Sequence, residues 1–257
     1  MEILPVDFFV LALAALFAGL VDAAVGGGGL IQVPALFGVF PQSAPAVLFG
    51  TNKLSGIWGT AFAAVTYAKK TRVEWGVAIP ASLSALLLSL LGAWTVSSFP
   101  AELVRKALPA ILLLVAIYVF RRKDFGITHA PLHSGRRQTG AALLLGAVIG
   151  FYDGFFGPGT GSFLIFLFIR FFGFDFLGAS AVAKIVNVAC NLSALALFGY
   201  QGHVLWQLGL LMAVCNVAGA VIGARLALLK GNGFIRRAFL VAVSLLILKT
   251  TSDAFWI

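Results

Sequence analysis

The chain has 257 residues, 61% of them hydrophobic and 11% charged, against roughly 45–50% and about 25% in a soluble domain. So few polar residues cannot cover a water-facing surface, which excludes a water-soluble globular protein. The net charge of +9 sits mainly in short loops between apolar runs, the pattern of the positive-inside rule rather than of a nucleic-acid surface, and no nucleic-acid partner is expected.

The N-terminus, Met1-Glu2-Ile3-Leu4-Pro5-Val6-Asp7, lacks a basic region. The first apolar stretch is therefore expected to be a retained span, not a cleaved signal peptide. Apolar segments cover 6–40, 44–68, 75–97 and 103–120, then 139–172, 176–199, 204–229 and 234–255. Runs of this length read as transmembrane helices. Between the two sets lies a basic linker, 121–137. Cys190 and Cys215 both fall inside apolar segments, so neither a disulfide framework nor a spaced metal set is indicated. His129, His133 and His203 fall in loops without metal-ligand spacing.

The two halves repeat each other. A constant offset of 131 residues pairs Asp22 with Asp153, Gly26 with Gly157, Gly28 with Gly159, Lys53 with Lys184, Trp75 with Trp206 and Arg105 with Arg236. Rare residues matching at one spacing mark a duplication, giving a first membrane repeat at 1–120 and a second at 138–257.

Segments 6–40 and 139–172 are too long for one crossing of a core about 30 Å thick. Each is interrupted, at Gly26-Gly27-Gly28-Gly29 and at Gly157-Pro158-Gly159-Thr160-Gly161. Glycine clusters and proline disfavour helix interiors, so each segment is predicted to be two pieces joined by unwound backbone. Re-entrant hairpins and paired crossings are both compatible with the pattern. If each broken segment counts as one crossing, eight basic residues face one side and seven the other. If each enters and leaves on the same side, thirteen face one side and only Arg105, Lys106 and Lys249 the other. The positive-inside rule favours the second arrangement, with both termini outside and the 121–137 loop in the cytoplasm. The expected fold is an all-α polytopic membrane protein. It has two homologous, inverted repeats, each with one Gly-broken discontinuous segment plus three transmembrane helices. Such inverted repeats with discontinuous helices are an architecture of secondary transporters.

Lys53 and Lys184 lie deep in apolar segments, where a charge costs at least about 2.5–3.5 kcal/mol. Lys184, Asn187 and Asn191 share one helix face. Half-helices starting near Gly28–Ile31 and Gly159–Ser162 would turn free N–H groups toward the membrane middle. With the amides of Asn52 and Gln32, the backbone of Gly28, Gly29, Gly159 and Gly161, and the hydroxyls of Thr160 and Ser162, they form a candidate site for a small anion. Asp22 and Asp153 are candidates for a coupling or structural role; one arrangement pairs Lys53 with Asp22 and Lys184 with Asp153 as buried locks. Asn216 and Arg225 read as structural, and Trp75, Trp94, Trp206 and Trp256 as interfacial anchors. Gly157-x-Gly159-x-Gly161 lacks the lysine of a phosphate loop and indicates no nucleotide. No cofactor is implied, and no span groups a nucleophile with a base as an enzyme would need.

The stretch from Phe17 to Pro34, FAGLVDAAVGGGGLIQVP, resembles the first motif of the sulfite exporter TauE/SafE family, and Gly150–Phe163, GFYDGFFGPGTGSF, its second. Gly50-Thr51-Asn52-Lys53-Leu54 and Ala183-Lys184-Ile185-Val186-Asn187 resemble the polar helix signatures that follow. The resemblance implies a permease of the bacterial cytoplasmic membrane. It would move small sulfur-containing anions, such as sulfite, sulfoacetate or other organosulfonates, with export the favoured direction. The intramembrane carboxylates Asp22 and Asp153 make a proton or cation the candidate coupling ion, and a homodimer is a candidate assembly. The first repeat departs from the second where Gly56 and Thr60 stand opposite Asn187 and Asn191, so the second is expected to be the richer half of the site.

Overall fold

Both glycine clusters interrupt helix where the sequence places them. In the computed structural model, which describes residues 5–104 and 135–255, Pro5–Val25 form α1 and Gly29–Val39 form α2. Gly135–Phe155 form α5 and Thr160–Phe172 form α6. The first unwound residue carrying a left-handed backbone is a glycine in each half, Gly26 at φ 71° and Gly157 at φ 87°. A β-carbon at either position would be strained.

With 11 and 13 residues, α2 and α6 are about 17 and 20 Å long. That is too short to cross a hydrocarbon core of about 30 Å. Each folds back on the helix before it. Gly28 lies against the Ala18 carbonyl and the Asp22 side chain. In the second half the Tyr152 hydroxyl donates to the Pro158 carbonyl at 2.6 Å, and the Tyr152 and Phe163 rings meet edge to face with centroids 5.4 Å apart. By length, then, neither α2 nor α6 makes a second full crossing beside the helix it folds back on.

The remaining helices are long. Pro45–Lys70 form α3, started by proline in its first turn, and Trp75–Ser98 form α4. Phe176–Tyr200 form α7, whose Asp175 cap accepts from the Gly178 N–H at 3.1 Å. Trp206–Phe255 form α8, broken at Gly231. The segment from 105 to 134, which includes most of the expected linker, His129 and His133, lies outside the described residues. So do residues 1–4 and Trp256.

The interior is built from small residues. Gly146, Gly150 and Gly154 recur every fourth position on α5 and sit against the backbone of Ala81, Ala85 and Ser89 on α4. Gly219 and Gly223 of α8 meet Leu16 and Leu20 of α1 in the same way. In both pairs residue numbers rise together, so α5 runs parallel to α4, and α8 parallel to α1. Close backbone approach of this kind holds helices together where lipid removes the hydrophobic incentive. Among the described residues four helices are long and apolar enough to cross a membrane: Val6–Val25, Trp75–Ser98, Phe176–Tyr200 and Trp206–Gly231. Leu83, Leu87, Leu144, Val148 and Val214 point outward. Trp75, Trp94 and Trp206 are exposed at or near helix ends, where interfacial anchors are expected.

Candidate functional site

The two breaks meet. Gly26 packs against the backbone of Gly161 and Ser162, and Gly29 against Pro158. The Ser162 hydroxyl donates to the Val25 carbonyl at 3.3 Å. The hairpins thus touch at their turns, with α3 and α7 alongside carrying the lysines.

Each lysine bonds to the other half of the molecule. Lys53 of α3 donates to the Asp153 carboxylate of α5. Lys184 of α7 donates to the Asp22 backbone carbonyl of α1, with the Asp22 carboxylate 3.6 Å away. The arrangement raised from the sequence, Lys53 with Asp22 and Lys184 with Asp153, is not the one adopted: the partners are exchanged. The reason is the packing, since α3 lies along α7 and α8 and each lysine reaches past its own hairpin. All four side chains are buried or nearly so, and their formal charges cancel.

Asp22 also closes its own turn. Its Oδ1 accepts from the Gly27 N–H at 3.2 Å and the Gly28 N–H at 3.5 Å, and its Oδ2 from the Thr60 hydroxyl at 3.1 Å. Thr160 caps the second turn, donating to the Gly157 carbonyl at 2.8 Å. Both hydroxyls singled out in the sequence, Thr160 and Ser162, are thus bonded to protein carbonyls.

A small cavity of about 40 Å³ opens between the turns. Of the residues expected at the site, Asp22, Gly28, Gly29, Gln32, Asn52, Lys53, Asp153, Gly159, Thr160, Gly161, Asn187 and Asn191 all line it. Lys184 and Ser162 are buried but are not among its lining residues. The lining also includes Thr60 and Asn216, which the sequence reading left out of the site. Asn216 stands on α8 with its amide donating to the Ala15 carbonyl at 3.2 Å. An asparagine in an apolar helix was the available signal. The wall is otherwise amide and backbone, and Asn191 donates to Asn187 across one helix turn at 3.5 Å. One group stands out. Gln32 is 1% exposed and lines the cavity, yet no protein group accepts from its Nε2. Among the described residues no cluster of three or more His, Cys, Asp or Glu could hold a metal ion.

Comparison with known proteins places the chain in context. The profile of the family described as "Sulfite exporter TauE/SafE" matches residues 11–250. A Sinorhizobium protein named "Probable membrane transporter protein ORF9" is 35% identical over 243 residues, covering 95% of this chain and 92% of its own length. A Haemophilus influenzae protein named "Probable membrane transporter protein" is 33% identical, covering 93% and 92%. The Escherichia coli K12 protein named "Probable membrane transporter protein YfcA" is 32% identical, covering 97% and 91%. No solved structure matches.

Proposed function

The chain belongs to the sulfite exporter TauE/SafE family of membrane transporters, and from that premise we propose that it is a secondary carrier of small sulfur-containing anions. It works by alternating access across the bacterial cytoplasmic membrane, with export the direction that the family resemblance favours. The anion sits between the two hairpin turns. Asn187, Asn191, Asn52 and Gln32 offer amide donors, the glycines at the turns offer close backbone approach, and Lys53 supplies the positive charge. Lys184 acts from behind, by holding Asp22.

The observation that carries this reading is the Gln32 amide, buried on a cavity wall with donor hydrogens that no protein group accepts. An unpaired buried donor costs about 1–3 kcal/mol. Such a donor, on a residue that lines a polar cavity among membrane helices, suits a ligand that supplies the acceptor. The reading of two inverted repeats draws support from the parallel pairs α1/α8 and α4/α5. With α3 crossing and α4 returning, these set α1 and α5 in opposite directions. The exchanged ion pairs follow the same symmetry.

The test is uptake of labelled sulfite, sulfoacetate and sulfate into proteoliposomes, with and without a pH gradient. Saturable movement of one of them is expected, whereas conductance without saturation would indicate a channel. If none moves in vesicles holding folded protein, the sulfur-anion assignment fails.

A further inference from the structure

We propose that Asp153 is the proton-coupling group of this carrier and that Asp22, its counterpart in the other half, is a fixed structural anion. This rests on the anion-carrier reading above. It adds which carboxylate moves a proton, and why only one of them does.

The asymmetry begins in the sequence. Gly27 of the first turn is replaced by Pro158 in the second, and Thr60 of α3 by Asn191 of α7. Both changes remove hydrogen bonds from the same place. Gly27 gives its N–H to Asp22, and proline has none to give. Thr60 gives its hydroxyl to Asp22, whereas Asn191 gives its amide to Asn187. Asp22 is thus held by two backbone N–H groups, a hydroxyl and the nearby Lys184 ammonium. Among the described residues Asp153 has one hydrogen-bond partner, Lys53. Protonating Asp22 would loosen the turn it closes. Protonating Asp153 breaks one ion pair and leaves the backbone of its own turn as it was.

Charge balance supplies the need for a proton. The four groups Asp22, Lys53, Asp153 and Lys184 sum to zero, so an entering monoanion leaves one uncompensated negative charge in a low-dielectric interior. A proton added to the Asp153 carboxylate gives a neutral acid and frees the Lys53 ammonium, which remains charged, to pair with the anion. The loaded site is again neutral. The titratable groups near Asp153 are Lys53 on α3, Cys190 on α7 and Tyr152 on its own helix. Asp22 and Lys184, already paired, stand on α1 and α7. The residues that α4 and α6 place nearest, Ser89 at the α5 contact and Thr160 on the cavity wall, do not titrate. One proton then travels with each negative charge, transport is electroneutral, and export runs where the internal excess of anion outweighs the inward proton gradient.

The experiment is calorimetric titration of the purified protein with methanesulfonate, whose strong-acid headgroup keeps one charge between about pH 6 and pH 8. Buffers of different ionisation heat count the protons. Uptake of one proton per anion is expected, with affinity falling as pH rises, by up to about tenfold per unit. In D153N the proton uptake and the pH dependence both disappear. In vesicles, a pH gradient drives methanesulfonate uptake and a potassium diffusion potential does not. Binding without proton uptake in the wild type, or proton uptake persisting in D153N, overturns the assignment while leaving the carrier reading in place. Failure of methanesulfonate, sulfite and sulfate alike to bind overturns both. Should D153N not fold, the conservative D153E variant takes its place, where a pH dependence identical to the wild type overturns the assignment.

Discussion

Lys53 bonds Asp153, 100 residues further along the chain, and not Asp22, the aspartate of its own half. The mirrored bond, from Lys184 to Asp22, spans 162 residues. Each half therefore holds a cation that the other half neutralises, and the two crossed contacts bracket the cavity.

The first consequence is energetic. Lys53→Met leaves the Asp153 carboxylate buried without a donor, a change that typically costs about 3–5 kcal/mol. The double variant Lys53→Met with Asp153→Asn removes both charges and should recover most of that loss. Thermal unfolding in mild detergent, read as a double-mutant cycle, checks it. Additive losses would mean the pair is not coupled.

Gln32 separates binding from stability. Gln32→Leu removes a buried donor that no protein group satisfies, so the melting temperature should hold or rise. Anion binding should weaken about five- to tenfold, the worth of one hydrogen bond of about 1–1.4 kcal/mol. Paired melting and titration curves measure both. A fall in stability with binding intact would remove Gln32 from the site.

Two glycines on α5 should respond with opposite signs. Gly150→Ala drives a β-carbon into the Ala85 backbone, and overpacking of this kind costs about 1–3 kcal/mol. Gly140→Ala meets nothing within 4 Å and should stabilise the helix by up to about 1 kcal/mol. Melting temperatures of the two variants, side by side, report whether α4 and α5 meet backbone to backbone.

Sidedness is testable by labelling, in a background with Cys190 and Cys215 replaced. The inverted reading puts Tyr200, 90% exposed at the end of α7, outside. It puts Arg72, in the α3–α4 turn, in the cytoplasm. An impermeant maleimide should label Tyr200→Cys in intact cells and Arg72→Cys only after permeabilisation. Labelling of both from outside would break the topology.

The sequence carried the helix breaks and most of the cavity wall because each depends on residues that are rare in lipid. An aspartate, a lysine or a glycine run inside an apolar segment has few explanations. Partner choice was not legible. At a fixed 131-residue offset, Lys53 with Asp22 and Lys53 with Asp153 produce the same pattern, and only the packing of α3 on α7 and α8 separates them. Asn216 escaped for a related reason. A neutral amide in an apolar helix does not declare its face. That face is set by how α8 rotates against α1, which the close approaches at Gly219 and Gly223 decide.

The exchanged ion pairs also bear on how the protein is made. Lys53 leaves the ribosome 100 residues ahead of Asp153, so α3 is synthesised before its counter-charge exists. That helix is already diluted by Thr51, Asn52, Ser55 and Thr60 and is not among the four described helices long and apolar enough to cross a membrane. Lys53 therefore meets the carboxylate that neutralises it only once α5 has been made.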